Sequence, residues 1–187
     1  MYQISFATTT LQVPERIRER FPLLSRAQEF FAARVALREA ASALGTTGLV
    51  AADELSIERH LHLAGHPNLL CSLAHTKNLA VGLAAKAPPF LSVGVDIEWC
   101  KRIVTEKSER YFGHPDDSPF DSKLELWVLK EAAFKAISPL TEDLLTLNKI
   151  CIQGNEFFYR EYRGSFERKD REIEGEQLLV AIALIKA

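Results

Sequence analysis

The segment GVDIE, Gly94 to Glu98, puts two carboxylates two residues apart near the midpoint of a 187-residue chain. In a strand, side chains alternate with period two. Val93, Val95 and Ile97 then turn toward a core while Asp96 and Glu98 turn together to the other face. Carboxylates held that close repel, and something positive is expected between them. Mg²⁺ is the natural candidate, since it is held by one or two carboxylates together with substrate phosphates. On these residues alone, an edge strand with a solvated acidic face is the alternative.

A second stretch, WVLKEAAFKA from Trp127 to Ala136, has no Gly or Pro and is rich in Ala, Leu and Lys, which predicts a helix. Leu126, Leu129, Ala133, Ala136 and Ile137 form one apolar stripe. Trp127, Glu131 and Lys135, spaced i, i+4, i+8, form a line nearly opposite. A surface Glu–Lys pair beside a half-buried Trp is the plain alternative. With Trp127 and Leu124 flanking it, however, Glu131 is a candidate third acid for the pair at Asp96 and Glu98.

A GxDxE segment followed about thirty residues later by WxxKEAxxKA resembles the 4′-phosphopantetheinyl transferases, and the order and spacing are similar to the surfactin-synthetase and enterobactin type. The resemblance implies an α+β fold of two similar α+β halves, here residues 1–89 and 90–187, with the active site in the cleft between them. It also implies Mg²⁺-dependent transfer of 4′-phosphopantetheine from coenzyme A to a serine of an apo acyl or peptidyl carrier protein, leaving 3′,5′-ADP. Asp96, Glu98 and Glu131 would hold Mg²⁺. Glu131 would take the serine proton, directly or through water, and Lys135 would neutralise or protonate the departing nucleotide. Lys130 is assigned to phosphate contact or helix orientation, and Trp127 to packing.

Weaker matches imply coenzyme A contacts. Arg34 matches a coenzyme A-binding arginine in a segment similar to AARVALREA. Arg38 lies one turn along on the same face, and Arg26 falls where further basic residues occur in the family. A solvated basic face is the alternative from composition. Gly65-His66-Pro67 stands where the family has Gly-Lys-Pro, so His66 is a weaker phosphate partner than the lysine it replaces. His75 matches a histidine that reaches the 3′-phosphate, while Ala74 replaces the serine before it; Lys77 is a candidate for the charge lost elsewhere.

The composition is that of an ordinary globular protein, with 47% hydrophobic and 26% charged residues and a net charge of -2. No global charge draws the chain to nucleic acid or an anionic membrane, so an anion site must be local. Cys71, Cys100 and Cys151 lack CxxC spacing, which predicts reduced thiols. The absence of a signal-like N-terminal segment or an apolar run of membrane-spanning length leads to the expectation of a soluble cytoplasmic protein. By analogy with the family, it should be a monomer.

The elements that must position these residues follow from local signals. Tyr2–Phe6 reads as a strand, and Pro14 opens a short helix to Phe21. Ser25, with Gln28 three places on, suggests a capping box for a helix ending at Gly45. Ser56–Arg59 suggests a short strand, and Cys71–Ala85 reads as two strands separated by Thr76, Lys77 and Asn78. Pro88 and Pro89 mark a boundary. Thr105–Phe112 suggests a short helix, and Gly113–Ser122 a polar loop that is mobile or touches a partner. Lys149–Ile152, Glu156–Tyr162 and Leu178–Ile185 read as strands, with Glu167–Glu176 as a solvated hairpin tip. Similar apolar strands at Ala80–Ala84 and Val180–Leu184 hint at an internal duplication.

Two rival functions remain open at this point. A Mg²⁺-dependent nuclease would take its last acid and lysine from alternating strand positions, not four apart on a helix, and would need a basic aromatic groove. A non-catalytic coenzyme A or carrier-protein binder of the same fold is consistent with the losses at His66 and Ala74.

Overall fold

A computed structural model describes all residues, 1–187, and the chain divides into Met1–Ala87 and Pro88–Ala187. Both units mix helix with one antiparallel sheet, so the fold is α+β. No helix is long and apolar enough to cross a membrane.

In the first unit the helices are α1 (Glu15–Arg18) and α2 (Leu24–Ala43). The strands are β1 (Tyr2–Thr8), β2 (Ile57–Glu58), β3 (His62–Leu63), β4 (His66–Thr76) and β5 (Leu79–Lys86), in sheet order β1-β5-β4-β3-β2. Small side chains let α2 lie close on the sheet. Its Leu37, Ala40 and Ala41 pack with Leu63, Leu69, Cys71 and Ala84. A Cβ at Gly82 of β5 would stand 2.2 Å from the backbone nitrogen of Leu37.

The capping box at Ser25 does not form. Leu23, in extended backbone, is the N-cap, and its carbonyl accepts from Arg26 N–H at 3.1 Å and Ala27 N–H at 3.2 Å. Ser25 is therefore already inside the helix, where its hydroxyl cannot serve as an N-cap. The C-terminus ends at Gly45 as its sequence predicts. Gly45 has φ +76°, Gly45 N–H donates to Ser42 O, and Thr46 N–H donates to Ala41 O.

The second unit has helices α3 (Glu106–Glu109) and α4 (Lys123–Ile137). Its strands are β6 (Phe90–Trp99), β7 (Cys151–Gln153), β8 (Glu156–Tyr159), β9 (Tyr162–Arg168), β10 (Arg171–Ile173) and β11 (Glu176–Lys186). The sheet order is β10-β11-β9-β8-β7, with β6 beside β11. The predicted stripe Leu126, Leu129, Ala133, Ala136 and Ile137 is buried with Ile150, Ile152, Phe157 and Phe166. Ser122 caps α4, its Oγ accepting from Glu125 N–H at 3.1 Å.

Two strand expectations change. Glu156–Tyr162 is not one strand but β8, a turn at Arg160-Glu161 and the start of β9, with Tyr159 opposite Tyr162. Arg160 has φ 52°, a conformation that Gly or Asn usually signals. The charged run Glu167–Glu176 is not simply a hairpin tip, because β9 and β10 enter it and both pair with β11.

One path occurs in both units: a strand, a helix, then two later strands, the last pairing with the first. In the first unit it runs β1, α2, β4, β5; in the second it runs β6, α4, β9, β11. Ala80–Ala84 and Val180–Leu184 lie in the closing strand of each path.

Candidate functional site

The glycine of GVDIE brings its acids under α4. A Cβ on Gly94 would stand 2.0 Å from Ala132 O and 2.7 Å from Ala136 N, so the helix backbone rests on the strand there. Asp96 and Glu98 leave β6 on that covered face. They are only 9% and 7% exposed, which replaces the solvated acidic edge with two acids held beneath a helix. Val93, Val95 and Ile97 are buried as well.

The positive charge expected between the acids is supplied by side chains. Lys135 Nζ donates to Asp96 Oδ1 at 2.7 Å and to Val95 O at 3.1 Å. Arg102 pairs with Glu98 Oε2, and Trp99 N–H donates to Glu98 Oε1 at 3.3 Å. Glu131, one turn before Lys135, is half-buried beside them. Burial pushes the Asp96 carboxyl above its ordinary value; Lys135 opposes this and Glu98 adds to it. Burial, and then the Asp96 charge, push Glu131 up in the same way, against Lys135 and Arg102.

Three carboxylates with no soft donor suit a hard divalent cation chemically. No three of the chain's His, Cys, Asp or Glu residues are gathered as a ready ligand set, however. A metal ion here would have to displace Lys135 and Arg102 from the acids. Trp127 packs perpendicular to Phe112, with ring centroids 5.2 Å apart, and the Arg102 guanidinium lies 5.7 Å from its ring centre.

Lys130 goes elsewhere. It is 0% exposed, pairs with Asp117 at 2.7 Å and donates to Ile150 O. Of the two roles open for Lys130, this buried anchor between helix and loop fits helix orientation and not phosphate contact. That loop is also less free than its polar sequence predicts. Asp117 accepts from His114 N–H and Ile152 N–H, each at 2.7 Å, and Ser118 N–H donates to Ile152 O at 2.8 Å.

In the first unit, Arg26, Arg34 and His75 line one open groove of about 280 Å³ with Phe21, Glu29 and Phe30. Arg34 donates to Leu55 O at 3.1 Å and Phe30 O at 3.3 Å, and its guanidinium lies 3.3 Å from the Phe30 ring centre. Glu29 Oε2 is 2.9 Å from Arg26 and 3.8 Å from His75 Nδ1. Ala74 borders the same groove and offers no hydroxyl.

The remaining coenzyme A candidates lie apart from this groove. His66 and Pro67 begin β4, nine residues from His75 on the same strand, roughly 30 Å at about 3.3 Å per residue. Arg38 is exposed and donates to Val50 O at 3.0 Å. Sequence reasoning missed Glu29, which pairs with Arg26, and Asp117, which holds Lys130. The i, i+3 spacing of Arg26 and Glu29 was a readable signal. Asp117 acts through a loop whose course no local spacing gives.

Neither protein-family models nor curated proteins give a match to this chain.

The two raised carboxyls carry a prediction about stability. Below its ordinary pKa, 3.8 for Asp96 and 4.5 for Glu131, each group is protonated in both folded and unfolded chains. As pH rises, the unfolded chain releases these protons first, and the folded chain then binds more protons than the unfolded one. Their contribution to stability therefore falls as pH climbs from the ordinary values through the raised ones. Urea midpoints of the wild type should show this fall, and Glu131→Gln should flatten it. An unchanged profile in Glu131→Gln would mean that Glu131 titrates normally.

Proposed function

We propose that the protein is a Mg²⁺-dependent 4′-phosphopantetheinyl transferase acting on an apo acyl or peptidyl carrier protein. The observation that carries this reading is the meeting of two distant motifs in one unit. Asp96 and Glu98 lie against α4 where Lys135 bonds Asp96 and Glu131 stands beside both. A nuclease-like arrangement has less support, because the third acid and the lysine come from one helix. The strand–helix–strand–strand path present in both units supports the two-half architecture of that family.

Asp96, Glu98 and Glu131 would hold Mg²⁺, which when bound supplies charge neutralisation at a pyrophosphate. Glu131 suits the role of proton acceptor from the carrier serine. Its raised carboxyl brings its basicity nearer to neutral pH, as general-base work requires. Lys135, whose ammonium is held at the acids, would meet negative charge developing on the departing 3′,5′-ADP. Arg34 and His75, with Arg26, would bind phosphates of coenzyme A from the groove in the first unit. His66, Pro67 and Arg38 have a weaker claim, being apart from that groove.

A second reading is favoured by one specific observation. Lys135 and Arg102 already neutralise Asp96 and Glu98, as they would in a binder of coenzyme A or carrier protein that performs no chemistry. Intact mass of several apo carrier proteins after incubation with this protein, coenzyme A and Mg²⁺ separates the two. The transferase reading expects a gain of one phosphopantetheine that chelation abolishes. Coenzyme A binding with no mass gain on any carrier would leave the binder.

A further inference from the structure

The two cations at the acids of the second unit are held in different ways. Lys135 Nζ has two acceptors, Asp96 Oδ1 at 2.7 Å and the backbone carbonyl of Val95 at 3.1 Å, and its side chain is 28% exposed. It can release Asp96 and keep the carbonyl. The Arg102 guanidinium has one acceptor, Glu98 Oε2, and its side chain is 50% exposed. Once Glu98 is taken from it, Arg102 must leave.

Arg102 also has somewhere to go. It pairs with Glu98, its charge is felt at Glu131, and its guanidinium lies 5.7 Å from the Trp127 ring centre, a contact that holds an exposed cation only weakly. The same side chain lines an open groove of about 440 Å³, with Ile103 and Ser122, that none of the three acids borders. A half-exposed ion pair is worth little, so turning from Glu98 into that groove costs little.

We infer that Arg102 is a resident counter-ion that competes with a divalent cation for Glu98 and Glu131, and so sets how tightly these acids bind metal. The inference rests on the reading of Asp96, Glu98 and Glu131 as a divalent-cation site. Without metal, the arm offsets the repulsion between the acids. When metal binds, the arm turns into the groove, because a guanidinium and a divalent cation repel across one carboxylate. The sign of its effect separates this role from a structural one: removing a competitor tightens metal binding, whereas removing a support for Glu98 loosens it.

Titration of the full chain with Mn²⁺ alone, without coenzyme A or carrier protein, tests it. Carboxylates accept Mn²⁺ as they do Mg²⁺, and the free ion is read directly from its paramagnetic resonance signal. Arg102→Gln should bind Mn²⁺ about fivefold more tightly than wild type, the worth of one half-exposed ion pair. Arg102→Lys should stay within about twofold of wild type, since it keeps the charge. Adding Glu131→Gln to Arg102→Gln should remove the gain, which locates the ion at the acids. Binding by Arg102→Gln equal to or weaker than wild type would overturn the competitor and leave the metal site standing, while a gain that survives Glu131→Gln would overturn it by placing the ion elsewhere. If neither wild type nor Arg102→Gln takes up Mn²⁺, the competitor and the metal site fall together.

Discussion

Glu131→Gln is expected to lower the rate of phosphopantetheine transfer by about 10³-fold or more while leaving the fold intact. Positioned general bases contribute about 10²–10⁴-fold, and the same carboxylate is a proposed ligand to the metal ion. The substitution is nearly isosteric and removes a charge that burial and Asp96 both disfavour. Inactivity can therefore not be blamed on misfolding: the variant should melt no lower than wild type at neutral pH. The readout is the initial rate of 3′,5′-ADP release with a saturating carrier protein, alongside a melting curve. Lys135→Ala should also be slow for a different reason, since it strips Asp96 of its ammonium partner at 2.7 Å and leaves a buried, unpaired acid. A Glu131→Gln enzyme within tenfold of wild type would remove Glu131 from the chemistry.

Legibility in the sequence followed the range of the interactions. The apolar stripe of α4 was readable because helical period alone fixes it, and the stop of α2 because Gly45 supplies the positive φ that the last turn demands. The nearness of Glu131 to the acids of β6 was expected from the two motifs, but the pairing of Asp96 with Lys135 was not, and it depends on Gly94 letting the helix backbone touch the strand. What hides from the sequence is set by the chain's course between elements. Arg160 turns at positive φ without a glycine or asparagine to announce it. Arg102 reaches back to Glu98 and supplies positive charge where the spacing of the acids suggests Mg²⁺. His66 and His75 look adjacent when written in a line, yet one extended strand holds them far apart.

Lys130 shows the same limit. Helical period turns it about 100° from Glu131, and that direction leads into the protein, where it is 0% exposed. Burial pulls its ammonium below the ordinary value and Asp117 pulls it back, so the pair is retained by mutual need. Removing one member of such a pair typically costs about 3–5 kcal/mol. Lys130→Ala should lose that much in urea unfolding, because Asp117 stays buried with only the N–H groups of His114 and Ile152 as donors. Lys130→Met with Asp117→Asn should lose less than the sum of the single changes, with a coupling of at least about 1 kcal/mol. The folded fraction of Lys130→Met should retain wild-type transfer per folded molecule, since its ammonium faces Asp117 and not the acids at Glu98 and Glu131. A Lys130→Met protein as stable as wild type but inactive would restore the phosphate contact and dismiss the anchor.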